Sequence, residues 1–204
     1  MVLHQIIPVG PYEANCIILW KDSEALVVDP GQDADLILSF LSSRDLSLKA
    51  VLLTHGHFDH VNGIPGLLAG RPDMPVYIHP LDQVMFGHPM NRNPPEYPGV
   101  ERPSDLRDIR DAVKDFPAFN LQVLETPGHT QGSVCVKTGD LLLSGDTLFA
   151  GSCGRTDFPG GSMADMRRSL SLLARLSPEI RVVPGHGVST TIAREVETNP
   201  FIER

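Results

Sequence analysis

Short apolar runs bounded by glycine and proline dominate the first half of the chain and predict β-strands. These runs cover residues 15–20, 25–28 and 50–54. Between the last two, apolar residues recur at helical spacing from 36 to 41, so residues 33–43 are predicted to form an amphipathic helix. The local unit is therefore strand, helix, strand.

The second half continues the pattern with further short strands and one clear helix. Strands are predicted at 75–79, 121–124, 133–136, 141–144 and 181–183, and a helix at 163–176. Residues 86–105 are too rich in proline for regular structure and too long for a tight connection, which predicts a surface loop or lid. The apolar residues Leu67, Leu68, Met85 and Phe86 could line a substrate pocket, but apolar residues that flank strands and helices are usually core, and core is the prediction for all four.

Length and composition predict one soluble globular unit, a single domain over residues 1–204. The formal net charge is −8, and no cluster of lysine and arginine forms the positive stripe that nucleic acids require. The first residues lack the basic start and long apolar run of a signal peptide, and no apolar stretch is long enough to span a bilayer. We therefore expect a cytoplasmic protein with neither nucleic acid nor membrane as a partner.

Three cysteines without a CxxC spacing predict neither a disulfide framework nor a thiolate zinc site. Cys16 and Cys135 are expected to be buried structural thiols. Cys153 lies in a glycine-containing turn, but no neighbouring residue supplies a base that would activate its thiol. A packing role is predicted for Cys153 as well.

The candidate chemistry lies directly after the predicted strands. His55 follows 50–54, His129 follows 121–125, Asp146 follows 141–145, and His186 follows 181–185. Because the backbone direction is fixed at the end of a strand, these side chains are expected to converge at one edge of a sheet.

The segment Thr54-His55-Gly56-His57-Phe58-Asp59-His60 offers three imidazoles and one carboxylate within six residues. Both groups suit zinc and related divalent metals. One turn cannot wrap all four around a single ion, because an extended His-x-His points both rings to one side while Asp59 and His60 lie beyond the bend. The segment therefore predicts two ligands for each of two neighbouring metals.

Three later residues complete the two predicted sites. His129 is expected to join the first metal and His186 the second. A carboxylate can bridge two cations with its two oxygens at the ~3.5–4 Å separation of two-metal hydrolases. Asp146 is therefore predicted to be the bridge.

The ordered ligands resemble the pattern of the metallo-β-lactamase superfamily, with all seven positions filled. Three flanking segments are similar to the glyoxalase II-like (hydroxyacylglutathione hydrolase-like) branch: Thr-Pro-Gly-His-Thr at 126–130, Gly-Asp-Thr-Leu-Phe at 145–149 and Gly-Arg-Thr-Asp-Phe at 154–158. Longer glyoxalase II proteins carry a helical C-terminal domain that holds glutathione, whereas only 18 residues follow His186. The chain thus resembles the short, single-domain type of this branch.

This resemblance implies an α/β fold, a four-layer αββα sandwich with two mixed sheets and helices outside. It implies two divalent metal ions, with zinc expected and iron or manganese as alternatives. The implied partner is a small-molecule thioester of the S-2-hydroxyacylglutathione type, such as S-lactoylglutathione, hydrolysed by a metal-bound hydroxide. Asp59, a ligand with a free oxygen, is the catalytic candidate that steers this nucleophile. The oligomeric state is left open.

Other activities share the same ligands. Persulfide dioxygenases of the same branch share Gly-Arg-Thr-Asp-Phe and use one iron, here expected on His55, His129 and Asp146. Lactonases fit the ligand set equally, while the acidic composition disfavours RNA-processing nucleases. A purely structural metal site is disfavoured because such zinc sites are usually closed four-ligand cages.

Arg155 is the one candidate for substrate binding outside the metal ligands. Its guanidinium can form an ion pair with Asp157 or contact an anionic group of the substrate. The sequence leaves both roles open.

Overall fold

The computed structural model describes residues 1–89 and 91–203, and its strands form two mixed sheets. The first sheet contains six strands, hydrogen-bonded in chain order: β1 (Leu3–Val9), β2 (Ala14–Lys21), β3 (Glu24–Val28), β4 (Ser47–Leu52), β5 (Val76–Ile78) and β6 (Leu106–Asp108). Pairing is antiparallel from β1 to β3 and parallel from β3 to β6.

Five more strands form the second sheet, and two form a small ribbon beside it. The strands are β7 (Leu121–Glu125), β8 (Val134–Thr138), β9 (Leu141–Gly145), β10 (Leu148–Phe149), β11 (Ser152–Cys153), β12 (Arg181–Pro184) and β13 (Thr190–Thr191). Their order in the sheet is β13-β12-β9-β8-β7, while β10 and β11 pair with each other. The neighbours β9 and β12 are parallel, and the other pairs of this sheet are antiparallel.

Helices within the described part of the chain are short. They are α1 (Ala34–Ser43), α2 (Phe58–Val61), α3 (Ile64–Leu68), α4 (Ala112–Asp115), α5 (Met163–Leu173) and α6 (Ile192–Thr198). Single 3-10 segments cover Pro80–Met85, Ile109–Asp111 and Pro117–Phe119. In the two ranges described, no helix combines the length and apolar character that crossing a membrane requires.

Alternation along the strands produces a four-layer arrangement. Successive side chains of a strand point to opposite faces. Leu26 and Val28 of β3 therefore pack between the two sheets, in one cluster with Leu143 of β9. Ala25 and Val27 face the other side and pack in the cluster that contains Ile37 and Leu41 of α1.

The second sheet is covered in the same way on its outer face. Leu142 of β9 packs with Leu170 of α5 and Ile192 of α6. Each such buried aliphatic side chain contributes about 1.5–3 kcal/mol relative to an exposed one. Helices therefore cover both outer faces of the paired sheets, and the predicted αββα architecture is confirmed.

Five strands of the described residues are missing from the sequence prediction: the short β6, β10, β11 and β13, and the longer β1. Strand β1 lies at the edge of the first sheet and is paired on one side only, with β2. Most of its side chains are partly or fully exposed, and it contains Pro8, which edge strands tolerate. Its apolar pattern is consequently weak, because little of it faces the core.

The segment 86–105 is irregular, as predicted, but part of it is packed into the protein. Tyr97 is fully buried, and Asn91 and Val100 are nearly so. Met90 lies outside the described residues. The ring of Tyr97 contacts Tyr12 and Phe58, with ring centroids 5.5 and 5.0 Å apart. This segment is therefore anchored to the core at Asn91, Tyr97 and Val100, while most of its other residues are exposed as predicted for a surface loop.

Hydrogen bonds join the two sheets at the edge where the candidate ligands lie. The backbone N–H of Val134 in β8 donates to the carbonyl of Thr54, directly after β4, at 2.8 Å. On the other side, the N–H of Asn15 in β2 donates to the carbonyl of Gly185, after β12, at 2.7 Å. Open α/β sheets commonly bind ligands beyond the carboxyl ends of their strands.

Candidate metal centre

Three histidines form a first cluster, called site 1 below. His55 follows β4, His57 immediately precedes α2, and His129 lies in the loop between β7 and β8. Nδ1 of His57 lies 2.8 Å from Nε2 of His129. One ring nitrogen from each histidine lies within 4.8 Å of the others, so the three can share one ion.

Asp59, His60 and His186 form a second cluster, called site 2 below. Asp59 and His60 lie on α2, and His186 follows β12. Nε2 of His186 lies 3.2 Å from Oδ2 of Asp59 and 3.3 Å from Nε2 of His60. The segment 55–60 thus divides between two sites, as its sequence predicted.

Asp146 lies between the two clusters at the end of β9. Its Oδ1 is 3.5 Å from Nε2 of His60 in site 2, and its Oδ2 is 3.5 Å from Nε2 of His129 in site 1. Oδ1 therefore faces site 2, and Oδ2 faces site 1 while also lying 3.9 Å from Nε2 of His186 in site 2. All seven residues predicted as ligands are brought to one place.

Two buried atoms in this centre have no hydrogen-bond partner among the described residues, Nε2 of His55 and Oδ1 of Asp146. Buried polar atoms of native proteins nearly always have a partner. A lone pair on imidazole nitrogen and an anionic oxygen are both ligands for divalent metals. The residues present therefore fit a pair of metal ions.

The other ring nitrogen of four histidines is held by an acceptor outside the centre. Nδ1 of His55 donates to the Thr54 hydroxyl (3.1 Å), and Nδ1 of His60 donates to the Asp29 carboxylate (3.2 Å). Nδ1 of His129 donates to the Arg155 carbonyl (2.7 Å), and Nδ1 of His186 donates to the Tyr12 carbonyl (2.9 Å). A carbonyl or carboxylate only accepts, and the Thr54 hydroxyl already donates to Asp29, so a proton is assigned to Nδ1 of each ring and Nε2 is the nitrogen available to a metal. Such contacts orient metal-binding histidines.

Burial and neighbouring charges separate the pKa values of the two sites. Burial, and then repulsion from the other histidines, lowers the pKa of His55 well below its ordinary value. Burial, with His129 second, lowers the pKa of His57 to about 3. His55 and His57 are therefore neutral near pH 7, as metal binding requires.

In site 2, neighbouring charges stabilise the charged forms of His60 and Asp59. Burial alone would lower the pKa of His60, but Asp59, Asp146 and Asp29 outweigh it and raise that pKa to about 10. Burial alone would likewise raise the pKa of Asp59, but His60 and a hydrogen bond from His186 bring it below its ordinary value. A proton and a metal ion therefore compete for His60.

Asp29 is a functional residue that the sequence analysis missed. It is fully buried directly after β3. Its Oδ1 accepts from the Thr54 N–H at 2.8 Å, and its Oδ2 accepts from the Thr54 hydroxyl at 2.6 Å and from Nδ1 of His60 at 3.2 Å. Since Thr54 in turn binds His55, one carboxylate orients a ligand in each site.

Asp82, in the 3-10 segment Pro80–Met85, is a second missed residue. It is 1% exposed and accepts hydrogen bonds from the N–H groups of Gly56 and Gly132 and from the Thr130 hydroxyl. Burial raises the pKa of its carboxyl, although these hydrogen bonds oppose the shift. Gly56 separates His55 from His57, and Thr130 follows His129. Asp82 thus ties together the two loops that build site 1.

Replacing Asp82 by asparagine is expected to weaken metal binding at site 1 about tenfold. Three donors now point at the carboxylate, and an amide would present N–H groups to at least one of them, so at least one hydrogen bond is lost. The measurement is competitive titration of the metal-free protein with a chromophoric chelator. Asp73→Asn, at an exposed position in the preceding loop, is the matched control. Equal affinities for the two variants would show that Asp82 does not position site 1.

The Arg155 side chain forms an ion pair. It bonds Asp157 through Nε and Nη2, both at 2.7 Å, and its guanidinium lies 3.7 Å from the centroid of the Phe158 ring. The Arg155 carbonyl is the group that reaches the centre, through His129. Contact between this side chain and a substrate remains a prediction.

Cys153 packs beside the apolar cluster under α5, in line with the predicted packing role. Burial raises the pKa of its thiol. A raised thiol pKa reduces the reactive thiolate fraction at neutral pH. Nothing in its surroundings therefore favours a nucleophilic role.

Glycines beside Asp146 allow the two strand ends to approach closely. A Cβ on Gly185 would overlap Oδ1 of Asp146, and a Cβ on Gly154 would overlap the Asp146 carbonyl. A side chain at either position would therefore displace Asp146. Glycine is therefore required on both sides of Asp146.

Comparison with known proteins connects this centre to a family. A sequence model of the metallo-beta-lactamase superfamily matches residues 9–186. The probable metallo-hydrolase YqgX of Bacillus subtilis is 35% identical over 201 residues, which cover 96% of this chain and 95% of that protein. The hydroxyacylglutathione hydrolase GloC of Haemophilus influenzae is 33% identical over 208 residues, with 97% of each protein covered.

Solved structures show the same architecture. BLEG-1, a B3 metallo-beta-lactamase, superimposes with a TM-score of 0.89 at 32% identity, covering 98% of this chain and 99% of that one. TTHA1623 in a di-iron-bound form gives a TM-score of 0.81 at 35% identity, covering 97% and 100%. ETHE1 from Myxococcus xanthus gives 0.73 at 26% identity, covering 97% and 83%.

Proposed function

Because the chain belongs to the metallo-β-lactamase superfamily, we propose that it is a two-metal hydrolase of S-2-hydroxyacylglutathione thioesters, with S-lactoylglutathione as the first substrate to test. The observation that carries this proposal is Asp146, whose two oxygens face the two ligand clusters at 3.5 Å each. The likeness to GloC supports a thioester substrate. The likeness to a di-iron-bound protein supports two metals.

In this proposal the residues of site 1 and of site 2 would each hold one ion, and Asp146 would contribute to both. Zinc is expected, with iron or manganese as alternatives. Two divalent ions held together supply a nucleophile at neutral pH, since bound water loses a proton more easily, and they polarise a substrate carbonyl. The protein's part is to fix the ligands, through Asp29, Asp82 and the backbone carbonyls of Tyr12 and Arg155.

Asp59 is the proposed catalytic carboxylate. Its side chain is 16% exposed, so it borders the opening of the centre. Its Oδ2 contacts His186, and in this proposal the carboxylate orients the attacking water. The reaction adds water across the bond between acyl carbon and sulfur: the hydroxyl goes to the carbon, the bond to sulfur breaks, and sulfur leaves as a thiol after taking a proton. The products are a 2-hydroxy acid and glutathione.

A persulfide dioxygenase is the second candidate. The segment 154–158, shared with that class, lies beside site 1, where the Arg155 carbonyl binds His129. Such an enzyme would use one iron on His55, His129 and Asp146, leaving site 2 without a catalytic role. Metal content therefore separates the two candidates better than the ligand geometry does.

The test is an activity panel on metal-loaded protein whose metal content has been measured. We expect hydrolysis of S-D-lactoylglutathione, followed as thiol release, and no oxygen uptake with glutathione persulfide. The same sample after chelation and dialysis is the negative control, and lactones and a β-lactam test the other hydrolytic activities. Oxygen uptake without thiol release would replace the thioesterase proposal with the dioxygenase.

A further inference from the structure

A cavity of about 310 Å³ opens beside site 1. It is lined by His57, Phe58, Val84, Met85, His88, Asn91, Phe158 and Pro159. Its volume lies at the lower end of the ~300–1,000 Å³ range of small-molecule sites. Met85, predicted to be core, is therefore part of a cavity wall.

The cavity is continuous with the metal centre through His57, which belongs to both. The ring of Phe158 meets His57 edge to face, with centroids 5.8 Å apart. Nδ2 of Asn91 donates to the carbonyl of Gly56 at 2.7 Å and to that of Met85 at 3.3 Å. The wall is thus bonded to the same segment that carries His55 and His57, so a substrate group in the cavity lies next to site 1.

The lining favours a neutral, apolar group. Five of the eight lining residues are apolar, and no lysine or arginine is among those that line the cavity in the described ranges. The nearby Arg155 is held by Asp157, and the Asn91 amide N–H groups already have two acceptors. Burying a charged group without a partner is strongly unfavourable.

Glutathione carries two carboxylates and an ammonium group, which this lining does not pair. The remaining part of a 2-hydroxyacyl thioester is its acyl group. We propose that the cavity binds an apolar acyl side chain, so that the preferred substrates are 2-hydroxyacyl thioesters longer than lactoyl, such as 2-hydroxyhexanoyl. This inference rests on the proposed thioester hydrolysis and specifies which acyl groups the enzyme prefers.

The first test compares S-lactoyl-, S-2-hydroxybutanoyl- and S-2-hydroxyhexanoylglutathione on the metal-loaded protein. Each methylene buried in the cavity is expected to raise kcat/KM about fourfold. Val84→Asp places a charge at the cavity mouth, and because Val84 is 72% exposed the core is not disturbed. The preference for 2-hydroxyhexanoyl over lactoyl should fall about tenfold. Val113→Asp, a matched substitution at a position 40% exposed on α4, should keep the wild-type preference.

A second test does not depend on turnover. Lactate, 2-hydroxybutanoate and 2-hydroxyhexanoate are titrated calorimetrically into the metal-loaded wild type and Val84→Asp. Tighter binding of the longer acids by the wild type, lost in the variant, supports acyl binding in the cavity. If this binding is observed but no thioester is hydrolysed, only the proposed function fails. Hydrolysis and acid binding that are both independent of chain length would overturn the acyl-binding role while leaving the thioesterase intact.

Discussion

Replacing Asp146 by asparagine is expected to lower kcat/KM for the thioester by on the order of a thousandfold. The bridging role needs two anionic oxygens, one facing His60 and the other facing His129, at 3.5 Å each. Asparagine keeps the shape but replaces one oxygen with an N–H donor and removes the charge. Metal catalysis contributes several kcal/mol of transition-state stabilisation, and about 1.4 kcal/mol corresponds to tenfold in rate.

The measurement is kcat/KM together with metal content for Asp146→Asn. Asp140→Asn is the matched control, because Asp140 is exposed and lies just before the same strand, β9. The control should keep wild-type metal content and activity. A variant at position 146 that retains two metals and at least a tenth of the activity would contradict the bridging role.

Asp29→Asn is expected to weaken metal binding about a hundredfold at both sites and to destabilise the metal-free protein by about 3 kcal/mol. Asp29 is fully buried and accepts three hydrogen bonds, two from Thr54 and one from His60. An asparagine amide turns one acceptor into a donor that faces groups now donating to it. His60 would then be drawn into the tautomer that carries its proton on Nε2, where the metal binds.

Stability is measured by urea unfolding in the presence of a chelator, and affinity by competitive metal titration. The backbone of Asp29 is left-handed (φ 52°), a conformation that asparagine also tolerates. Asp22→Asn is therefore a matched control, since Asp22 is exposed and equally left-handed (φ 53°). If both variants keep the metal affinity of the wild type, the contact between Asp29 and His60 does not orient the ligand.

The sequence predicted the convergence of the seven candidate ligands because they lie at the ends of strongly apolar strands. The run before His55 is buried on both faces, so its direction and its end are clear from composition alone. The bend between His57 and Asp59 then divides the segment between two sites. Most of the longer strands and the helices α1 and α5 were predictable from their apolar patterns, whereas the αββα layering was predicted from the resemblance to the metallo-β-lactamase superfamily.

The residues that orient the ligands were not predictable in the same way. Asp29 begins the sequence Asp-Pro-Gly after β3. This sequence predicts a turn and does not indicate that the carboxylate is a buried hydrogen-bond acceptor. Asp82 lies 26 residues from Gly56 and 50 from Gly132, its two N–H donors. The position of Met85 in a cavity wall was unpredictable for the same reason. An apolar residue beside a helix is expected to be core, and only the fold shows that a cavity lies opposite it. Contacts between distant segments leave no local periodicity.

The two-metal hydrolase is tested by elemental analysis of metal in the purified protein, joined to thiol release from S-D-lactoylglutathione on the same sample. We expect two metal ions per chain, with hydrolysis that disappears on chelation and returns when both ions are restored. One ion per chain at full activity, or two ions without hydrolysis of any ester, thioester or lactam, would contradict the two-metal hydrolase.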